Sequence, residues 1–451
     1  MPALELSYDV GDDATAPLAW GQQTTWDDIQ FFLPEIKSFG VLGGWLPLDE
    51  VSTTIENVQL ALVELVRRHP SLRSRYYNRA DGSSAQTVLG RGVFTVLVEE
   101  SGDEVLKSAQ AAADHIFATG FDHDGGRPFR PVLITTGDTP RLLLFGVSHV
   151  ATDLAGANQL SDELLELVQG HSAPRPAWTP VQLAEFEQSA PGQELDAAAQ
   201  NHLRRQVETA PPRLLPIIRE PEPDRFWRGQ LTSTALPLLL RVLGRRYRTS
   251  TSTVLLALTT LIVNRLSGQE DCLIGLVQAN RTAEPLTHCI SSLSQTVQTT
   301  VSATGASTFA ELIARTADAA DLAQRHSRFD ARRATETIRQ VQHQRGLSIE
   351  LTCRFNDTWS EMRRQLKRTS TDAREIGVAT EHSRFDWLER TDSDKIALFV
   401  DVFGTDDELE LRALADTARI SPTGIERLLR SYEQLALQLL DGDRVLAELD
   451  Y

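Results

Sequence analysis

Apolar positions along the chain recur with two periods, one typical of helices and one typical of strands. Residues 54–68, TIENVQLALVELVRR, repeat apolar side chains at helical spacing, and the His69–Pro70 pair that follows predicts the end of this helix. Further helices are predicted over residues 156–170, 250–268, 308–345 and 422–440. Strands are predicted over residues 92–99, 130–135, 141–147, 271–281 (running into a loop), 347–359 and 395–403. The alternation of the two patterns predicts an α/β protein.

Two proline-rich segments interrupt this order. Residues 171–180, HSAPRPAWTP, contain three prolines, and residues 209–224 form a second connector of the same kind. Proline fixes its own backbone angle and lacks an amide donor, so both segments favour a linker over a helix or strand.

Composition narrows the class of protein. At 451 residues the chain is long enough for two ordinary domains or one large α/β unit. Its net charge of −17 argues against nonspecific nucleic-acid binding, which depends on clustered Lys and Arg. The N-terminus lacks the apolar core of a signal peptide, and no apolar run approaches the roughly 18 residues that a membrane helix needs. We therefore expect a cytoplasmic protein that does not bind membranes.

The cysteines suggest neither a disulfide framework nor a zinc site. Cys272, Cys289 and Cys353 are odd in number and form no CxxC pair or Cys/His cluster. We expect no bound metal.

Three His–Asp pairs with HxxxD spacing are the candidates for chemistry, although about one would arise by chance at this composition. They are His149/Asp153, His326/Asp330 and His382/Asp386. His326 lies in a polar helical stretch, where such a pair is a common surface feature, and His382 lies in a polar turn. His149 differs because it follows the apolar run LLLFGV and precedes a predicted helix. Side chains at the carboxyl end of a strand stand where sites are commonly built.

The chemistry of His149 suits that placement. An imidazole near its ordinary pKa can take a proton from an amine or hydroxyl nucleophile at neutral pH. A carboxylate four residues later can pair with an arginine and fix the loop. The residues alone leave open whether His149 is a base or a structural histidine. No GxSxG elbow, Walker loop, GxGxxG or HExxH motif offers another chemistry.

Eight segments, in order along nearly the whole chain, carry a family resemblance. They are 17–26 (PLAWGQQTTW), 67–76 (RRHPSLRSRY), 148–156 (SHVATDLAG), 180–188 (PVQLAEFEQ), 210–216 (APPRLLP), 273–281 (LIGLVQANR), 289–301 (CISSLSQTVQTTV) and 354–359 (RFNDTW). In this order the chain resembles the condensation domains of nonribosomal peptide synthetases, within the chloramphenicol-acetyltransferase-like superfamily. The second segment resembles RHxxLRxxF and the third resembles HHxxxDGxS.

The resemblance implies a fold and a set of partners. The fold would be α/β, with two chloramphenicol-acetyltransferase-like lobes in a V and the active site in the tunnel between them. We expect an N-terminal lobe at 1–177, which carries the HxxxD loop, and a C-terminal lobe at 178–451, which carries the floor loop and the bridging segments. The partners would be an acyl or peptidyl carrier protein, whose phosphopantetheine arm is part of the substrate, and a small-molecule acceptor. We expect a monomer without a bound cofactor.

The resemblance also assigns roles to residues. His149 would be catalytic, and Asp153 would support the site through an arginine such as Arg281 or Arg73. Substrate-lining positions would be Ser148, Asn356, Ser291 and Gln295.

Three positions depart from the family pattern. Ser148 replaces the first histidine, Leu154 the glycine after the aspartate, and Ser291 the floor-loop glycine. We expect the smaller Ser148 to accommodate a bulkier substrate, and Leu154 to reshape its loop because it lacks the backbone freedom of glycine.

The function that we expect is a free-standing condensation-type acyltransferase of natural-product biosynthesis, an antibiotic pathway being one setting. It would form an amide or ester between a carrier-bound acyl or aminoacyl thioester and an amine or alcohol, meeting both partners in trans. Two alternatives remain at this stage. One is a coenzyme A-dependent acyltransferase of the same superfamily, and the other is a catalytically silent module that recruits another enzyme to a carrier-bound intermediate.

Overall fold

The computed structural model describes residues 2–32, 40–49, 51–102, 104–171, 175, 177–362, 379–392 and 394–450. The chain divides into two compact units, which differ from the predicted division at 177/178. Unit 1 comprises Met1–Asp196 and Ala279–Gln295, and unit 2 comprises Ala197–Gln278 and Thr296–Tyr451.

Unit 1 contains eight named strands and five helices among its described residues, and a sixth helix, α6, runs past its end. The strands are β1 Ala3–Asp9, β2 Ala14–Pro17, β3 Val41–Pro47, β4 Ser74–Asn78, β5 Ser84–Val88, β6 Arg91–Glu100, β7 Phe129–Thr136 and β8 Thr139–Ser148. The helices are α1 Trp20–Phe32, α2 Ile55–Arg68, α3 Val105–Ala118, α4 Leu154–Val168, α5 Pro180–Gln188 and α6 Ala190–Thr209.

A five-stranded sheet in the order β1-β6-β7-β8-β3 forms the centre of unit 1. Strand β8 lies between β7 and β3 and is antiparallel to both. Because alternate side chains of a strand point to opposite faces, β8 contributes to two cores. Leu143, Phe145 and Val147 pack in the cluster that includes residues of α2 and α4, whereas Leu142 and Leu144 pack in the cluster of α3. Burying an apolar side chain of this size stabilises the fold by about 1.5–3 kcal/mol, so β8 is firmly held.

Helix α2 forms where its sequence pattern predicts it. Thr54 caps its first turn by accepting a hydrogen bond from the Asn57 amide, and Val58, Leu62 and Leu65 supply its buried face. Pro70 opens a short 3-10 turn directly after the helix. The helix and the three strands β6, β7 and β8 confirm the corresponding sequence predictions.

The segment after residue 177 packs with unit 1 through α5. This helix lies against β2, and the Trp20 amide donates to Glu187 Oε2 at 2.7 Å. Such contacts explain why residues 178–196 belong to unit 1, although the sequence prediction assigned them to the C-terminal lobe. Residues 172–174 and 176 of the predicted linker lie outside the described residues.

Unit 2 is built on a seven-stranded sheet in the order β11-β10-β12-β14-β15-β9-β13. Its strands are β9 Phe226–Ser233, β10 Asp271–Gln278, β11 Gln295–Ser302 (which opens on the last residue of unit 1), β12 Cys353–Asp357, β13 Arg384–Thr391, β14 Leu398–Gly404 and β15 Leu409–Asp416. Its helices are α7 Ala235–Tyr247, α8 Thr251–Ser267, α9 Phe309–Arg325, α10 Ala331–Arg345, α11 Thr358–Met362 and α12 Pro422–Gln438. The central helix α8 is apolar on nearly every side and lies within the largest core cluster.

Two sequence predictions in unit 2 were too long. The helix predicted over 308–345 is two helices, because α9 ends at Arg325 and Asp330 caps α10 by accepting from the Arg332 amide. Of the strand predicted over 347–359, only Cys353–Asp357 is a strand. The mixed α/β class is confirmed. None of the helices in the described residues is long and apolar enough to cross a membrane.

Candidate active site

The end of β8 leads directly into the loop that carries the first His–Asp pair. Ser148 is the last residue of the strand, with its amide bonded to the Pro128 carbonyl at 2.8 Å. The His149 amide donates to the Gly40 carbonyl at 2.9 Å, and Asp153 caps α4 by accepting from the Gly156 amide at 3.0 Å. The loop is therefore fixed at its start by backbone hydrogen bonds and at its end by the Asp153 side chain.

The His149 ring makes a hydrogen bond to the backbone of its own loop. Its Nδ1 lies 3.1 Å from the Thr152 carbonyl oxygen, and the residue is only partly buried. A carbonyl oxygen can only accept, so Nδ1 carries the proton and donates it. In the neutral ring, Nε2 then bears the lone pair, which is the arrangement that a general base requires.

Asp153 is buried, with 1% of its surface exposed. Its Oδ2 accepts from Arg281 Nη1 at 2.7 Å, from the Leu293 amide at 2.9 Å, and from both the amide and the hydroxyl of Ser294 at 3.0 Å. Burial by itself would raise the pKa of this carboxyl. The charge of Arg281 and the hydrogen bonds to the ionised form outweigh burial and hold the pKa below its usual range. Asp153 is therefore an anion that connects the HxxxD loop to the segment at 279–295.

Arg281, and not Arg73, is the arginine that contacts Asp153. Its guanidinium is 7% exposed and also donates to the carbonyls of Ala279, Cys289 and Ser291. Arg73 instead donates to the carbonyls of Val66 and Leu89. Of the two arginines left open by the sequence, the structure selects Arg281 as the ion-pair partner.

The segment 279–295, which includes Ser291 of the expected floor loop, contacts the rest of unit 1 at several points. Asn280 has a left-handed backbone, with φ of 59°, and its side-chain amide donates to the Leu293 carbonyl at 2.8 Å. Thr25 Oγ1 and Ser292 Oγ lie 2.7 Å apart. A Cβ on Gly21 would lie 2.4 Å from the Ser292 carbonyl oxygen, so helix α1 approaches this loop closely only because that residue is glycine. These contacts place the loop in unit 1, although the sequence prediction assigned it to the C-terminal lobe.

The predicted lining positions in unit 1 are buried. Ser148 and Ser291 have no exposed surface, and Gln295 is 3% exposed. The Ser291 hydroxyl has no hydrogen-bond partner among the described residues. The substrate-lining role of these three residues stays a prediction.

Leu154 does not give its loop an unusual backbone. It is the first residue of α4, directly after the Asp153 cap, and it is absent from the residues with positive φ. Position 154 therefore does not require the backbone freedom of glycine in this chain.

Asn356 belongs to unit 2 and starts a row of polar side chains across its sheet. Asn356 pairs with Asp401 in the register of β12 and β14, and Asp401 pairs with Arg412 in the register of β14 and β15. The Asn356 amide donates to Asp401 Oδ1 at 3.2 Å, and Arg228 Nη1 lies 3.4 Å from Asp401 Oδ2. Burial raises the pKa of Asp401 to about 6, although Arg228, Arg412 and the Asn356 bond act in the opposite direction. Sequence reasoning missed this carboxyl, which is 5% exposed.

The other two HxxxD pairs have different surroundings. His326 ends α9 and stacks on His202, with ring centroids 4.9 Å apart, while Asp330 caps α10. The interpretation of His326 and Asp330 as a surface pair within one helix was therefore wrong. His382 lies in an exposed turn, and Asp386 pairs with Arg384. Neither histidine follows a buried strand end.

A second imidazole, which sequence reasoning missed, lies beside Ser148. His123 Nε2 is 2.8 Å from Ser148 Oγ. His123 stands in the polar stretch GFDHDGGRP, with no spacing signal that connects it to residue 148. The expectation that Ser148 accommodates a bulkier substrate stays a prediction.

No group of three or more His, Cys, Asp or Glu residues in the described part of the chain is arranged to hold a metal ion.

Comparison with curated sequences finds relatives among large synthetases. The AMB antimetabolite synthetase AmbB of Pseudomonas aeruginosa is 27% identical over 272 residues, which are 56% of this chain and 20% of that protein. Phosphinothricin tripeptide synthetase PhsB of Streptomyces viridochromogenes is 28% identical over 329 residues, which are 68% of this chain and 27% of that protein. The chain thus spans less than a third of the length of these curated relatives.

Solved structures share the fold. The condensation domain that mediates chain release from the enacyloxin polyketide synthase superimposes with a TM-score of 0.71 at 16% identity, covering 97% of this chain and 84% of that one. The SgcC5 protein of Streptomyces globisporus superimposes with a TM-score of 0.67 at 14% identity, covering 94% of this chain and 98% of that one. The predicted fold class is confirmed. The family model described as "Condensation domain" matches residues 50–446, and the chain therefore belongs to the condensation domain family.

Proposed function

We propose that this protein is a condensation-type acyltransferase that joins a carrier-bound acyl or aminoacyl thioester to an amine or alcohol. The observation that carries the proposal is the state of His149. Its Nδ1 donates to the Thr152 carbonyl, which leaves the lone pair of the neutral ring on Nε2. A base of this kind at a fixed strand end fits acyl transfer to an amine or hydroxyl that must lose a proton as it attacks.

The proposed reaction has two steps. His149 Nε2 takes the proton from the acceptor amine or hydroxyl as its nitrogen or oxygen attacks the thioester carbonyl. The tetrahedral intermediate then collapses, the carbon–sulfur bond breaks, and the proton passes to the departing phosphopantetheine thiol. The balance is one new C–N or C–O bond, one broken C–S bond and one proton transferred.

Asp153 and Arg281 act on this reaction only through the shape of the loop. The carboxylate receives five hydrogen bonds and is buried, so it has no role as a proton shuttle. Together the two residues hold the start of α4, and hence the loop that carries His149, against the segment 279–295.

A direct experiment compares carrier-bound thioesters with coenzyme A thioesters as donors. Carrier proteins loaded with acyl and aminoacyl groups, and the matching coenzyme A thioesters, are incubated with the protein and a panel of amines and alcohols. Mass spectrometry should detect an amide or ester, together with the free thiol of the carrier. Turnover of only the coenzyme A thioesters would favour the related acyltransferase. Binding of loaded carriers without any product would favour a recruiting module.

A further inference from the structure

The loop between α3 and β7 brings a second imidazole to the strand end that carries His149. The loop is fixed by its own bonds, because Asp122 accepts from the amides of Gly125 and Gly126, at 3.0 Å each. The Tyr76 amide donates to the carbonyl of His123 at 2.8 Å. The fold therefore sets the position of the His123 ring.

The ring of His123 is packed among aromatic side chains. Trp26 meets it edge-on, with centroids 5.3 Å apart, and Phe121 lies with its centroid at 6.3 Å. Burial lowers the pKa of His123 to about 4, with the Asp122 charge acting in the opposite direction. The ring is therefore neutral at physiological pH. Among the described residues, it has one hydrogen-bond contact with a side-chain oxygen.

That contact is the bond of 2.8 Å between His123 Nε2 and Ser148 Oγ. A Ser–His pair at this distance has the spacing of an activated nucleophile. Ser148, however, has no exposed surface, so its hydroxyl faces the His123 ring and not solvent. The pair must instead act on the neighbouring backbone.

The geometry points to His123 as a positioning residue, which fixes the carboxyl end of β8 through Ser148 and thereby directs the ring of His149. Ser148 directly precedes His149 in the chain, and the amides of both residues are already bonded, to Pro128 and to Gly40. The side-chain bond to His123 fixes the remaining freedom of this strand end. The inference rests on the proposed role of His149 as the base. A small shift of that base would lower the rate, since misplacing a reacting group by about 1 Å can cost about 10²-fold.

The first test needs no substrate. In protein with ¹³C-labelled histidine rings, the NMR signal of His149 is assigned by its loss in His149→Ala, and its pKa and tautomer are measured. His123→Phe keeps an aromatic ring and loses the bond, Ser148→Ala removes the same bond from the other side, and His123→Gln keeps a polar group near Nε2. His115→Phe, on the exposed face of α3, is the matched control.

We expect His123→Phe and Ser148→Ala to shift the His149 signal in the same way, and the double variant to shift it no further. His123→Gln and His115→Phe should resemble the wild type. An unchanged His149 signal in both single variants, or additive changes in the double variant, would overturn the inference. If His123→Phe does not fold, Ser148→Ala and His123→Gln still decide the question.

Steady-state kinetics, measured with a thioester donor that the wild type converts to product, then give a second readout. The two bond-breaking variants should lose about 10-fold or more in kcat while KM stays within about twofold, because the base and not the substrate site is disturbed. A loss in KM alone would contradict the inference. If His149→Ala keeps full turnover, the proposed function fails, whereas the NMR comparison still reports whether His123 orients His149.

Discussion

Replacing Asp153 with alanine removes the acceptor of five hydrogen bonds and leaves a buried guanidinium without its anion. The donors that lose their partner are Arg281, the amides of Gly156, Leu293 and Ser294, and the Ser294 hydroxyl. The Arg281 side chain is 7% exposed and would keep its carbonyl partners, so bulk water cannot take the place of the lost carboxylate. The perturbation is therefore an uncompensated buried charge together with unpaired amides.

The expected loss of stability is about 3–5 kcal/mol, the usual cost of breaking a buried ion pair from one side. For a unit of about this size, each kcal/mol lowers the melting temperature by about 2–4 °C, so Asp153→Ala should melt about 6–20 °C earlier. Urea unfolding, monitored by fluorescence, measures the free energy of unfolding. His149→Ala is the matched control and should unfold like the wild type, because His149 is only partly buried.

Two further measurements separate the ion pair from a general loss of packing. The double variant Asp153→Ala/Arg281→Met should lose less stability than the sum of the single variants, since it removes both charges. The pKa of Asp153 is lowered in the folded state, so its stabilisation is complete above about pH 4 and is lost as the pH falls through the folded pKa. The difference in the free energy of unfolding between the wild type and Asp153→Ala should therefore become smaller below about pH 4. An Asp153→Ala protein within about 1 kcal/mol of the wild type at pH 7 would refute this reasoning.

Three other predictions follow from single sites. Ser148→His should lower turnover, because the new ring would clash with His123, whose Nε2 lies 2.8 Å from the serine hydroxyl. Adding His123→Ala should restore part of the turnover, and raised turnover in the single variant would contradict this prediction. Because burial raises the pKa of Asp401 to about 6, the wild type should lose stability as the pH rises from about 4 to about 6, and urea midpoints of Asp401→Asn should lack this fall. Burial raises the pKa of both Cys272 and Cys353 to about 12, so iodoacetamide at pH 8 should label neither in the folded protein, and rapid labelling would contradict their burial.

The elements that sequence predicted well depend on local pattern. Helix α2 has an apolar stripe, a threonine cap and a proline after its end, and each signal lies within a few residues of the next. Strand β8 is a continuous apolar run between polar turns, so the position of His149 at its end followed directly.

The errors have physical causes that local pattern does not contain. The helix over 308–345 looked continuous because both of its halves are polar and helical, and only the Asp330 cap marks the break. The segment 279–295 belongs to unit 1 because of contacts with residues more than 100 positions away, such as Asp153. His123 reaches Ser148 across a loop, although the two residues are 25 positions apart in sequence, and no periodicity signals that approach. Asp401 is unusual only because of its burial, which the run DVFGT does not reveal.

The central claim is that His149 acts as the base of an acyl transfer, and its most direct test is the turnover of three matched histidine variants. With one loaded carrier protein and one acceptor, product is measured by mass spectrometry for His149→Ala, His326→Ala and His382→Ala. The first variant should lose about 10²-fold or more in kcat, as expected when a general base is removed. The other two should match the wild type, since His326 stacks on His202 and His382 lies in an exposed turn. Equal losses in all three variants, or full turnover by His149→Ala, would contradict the account.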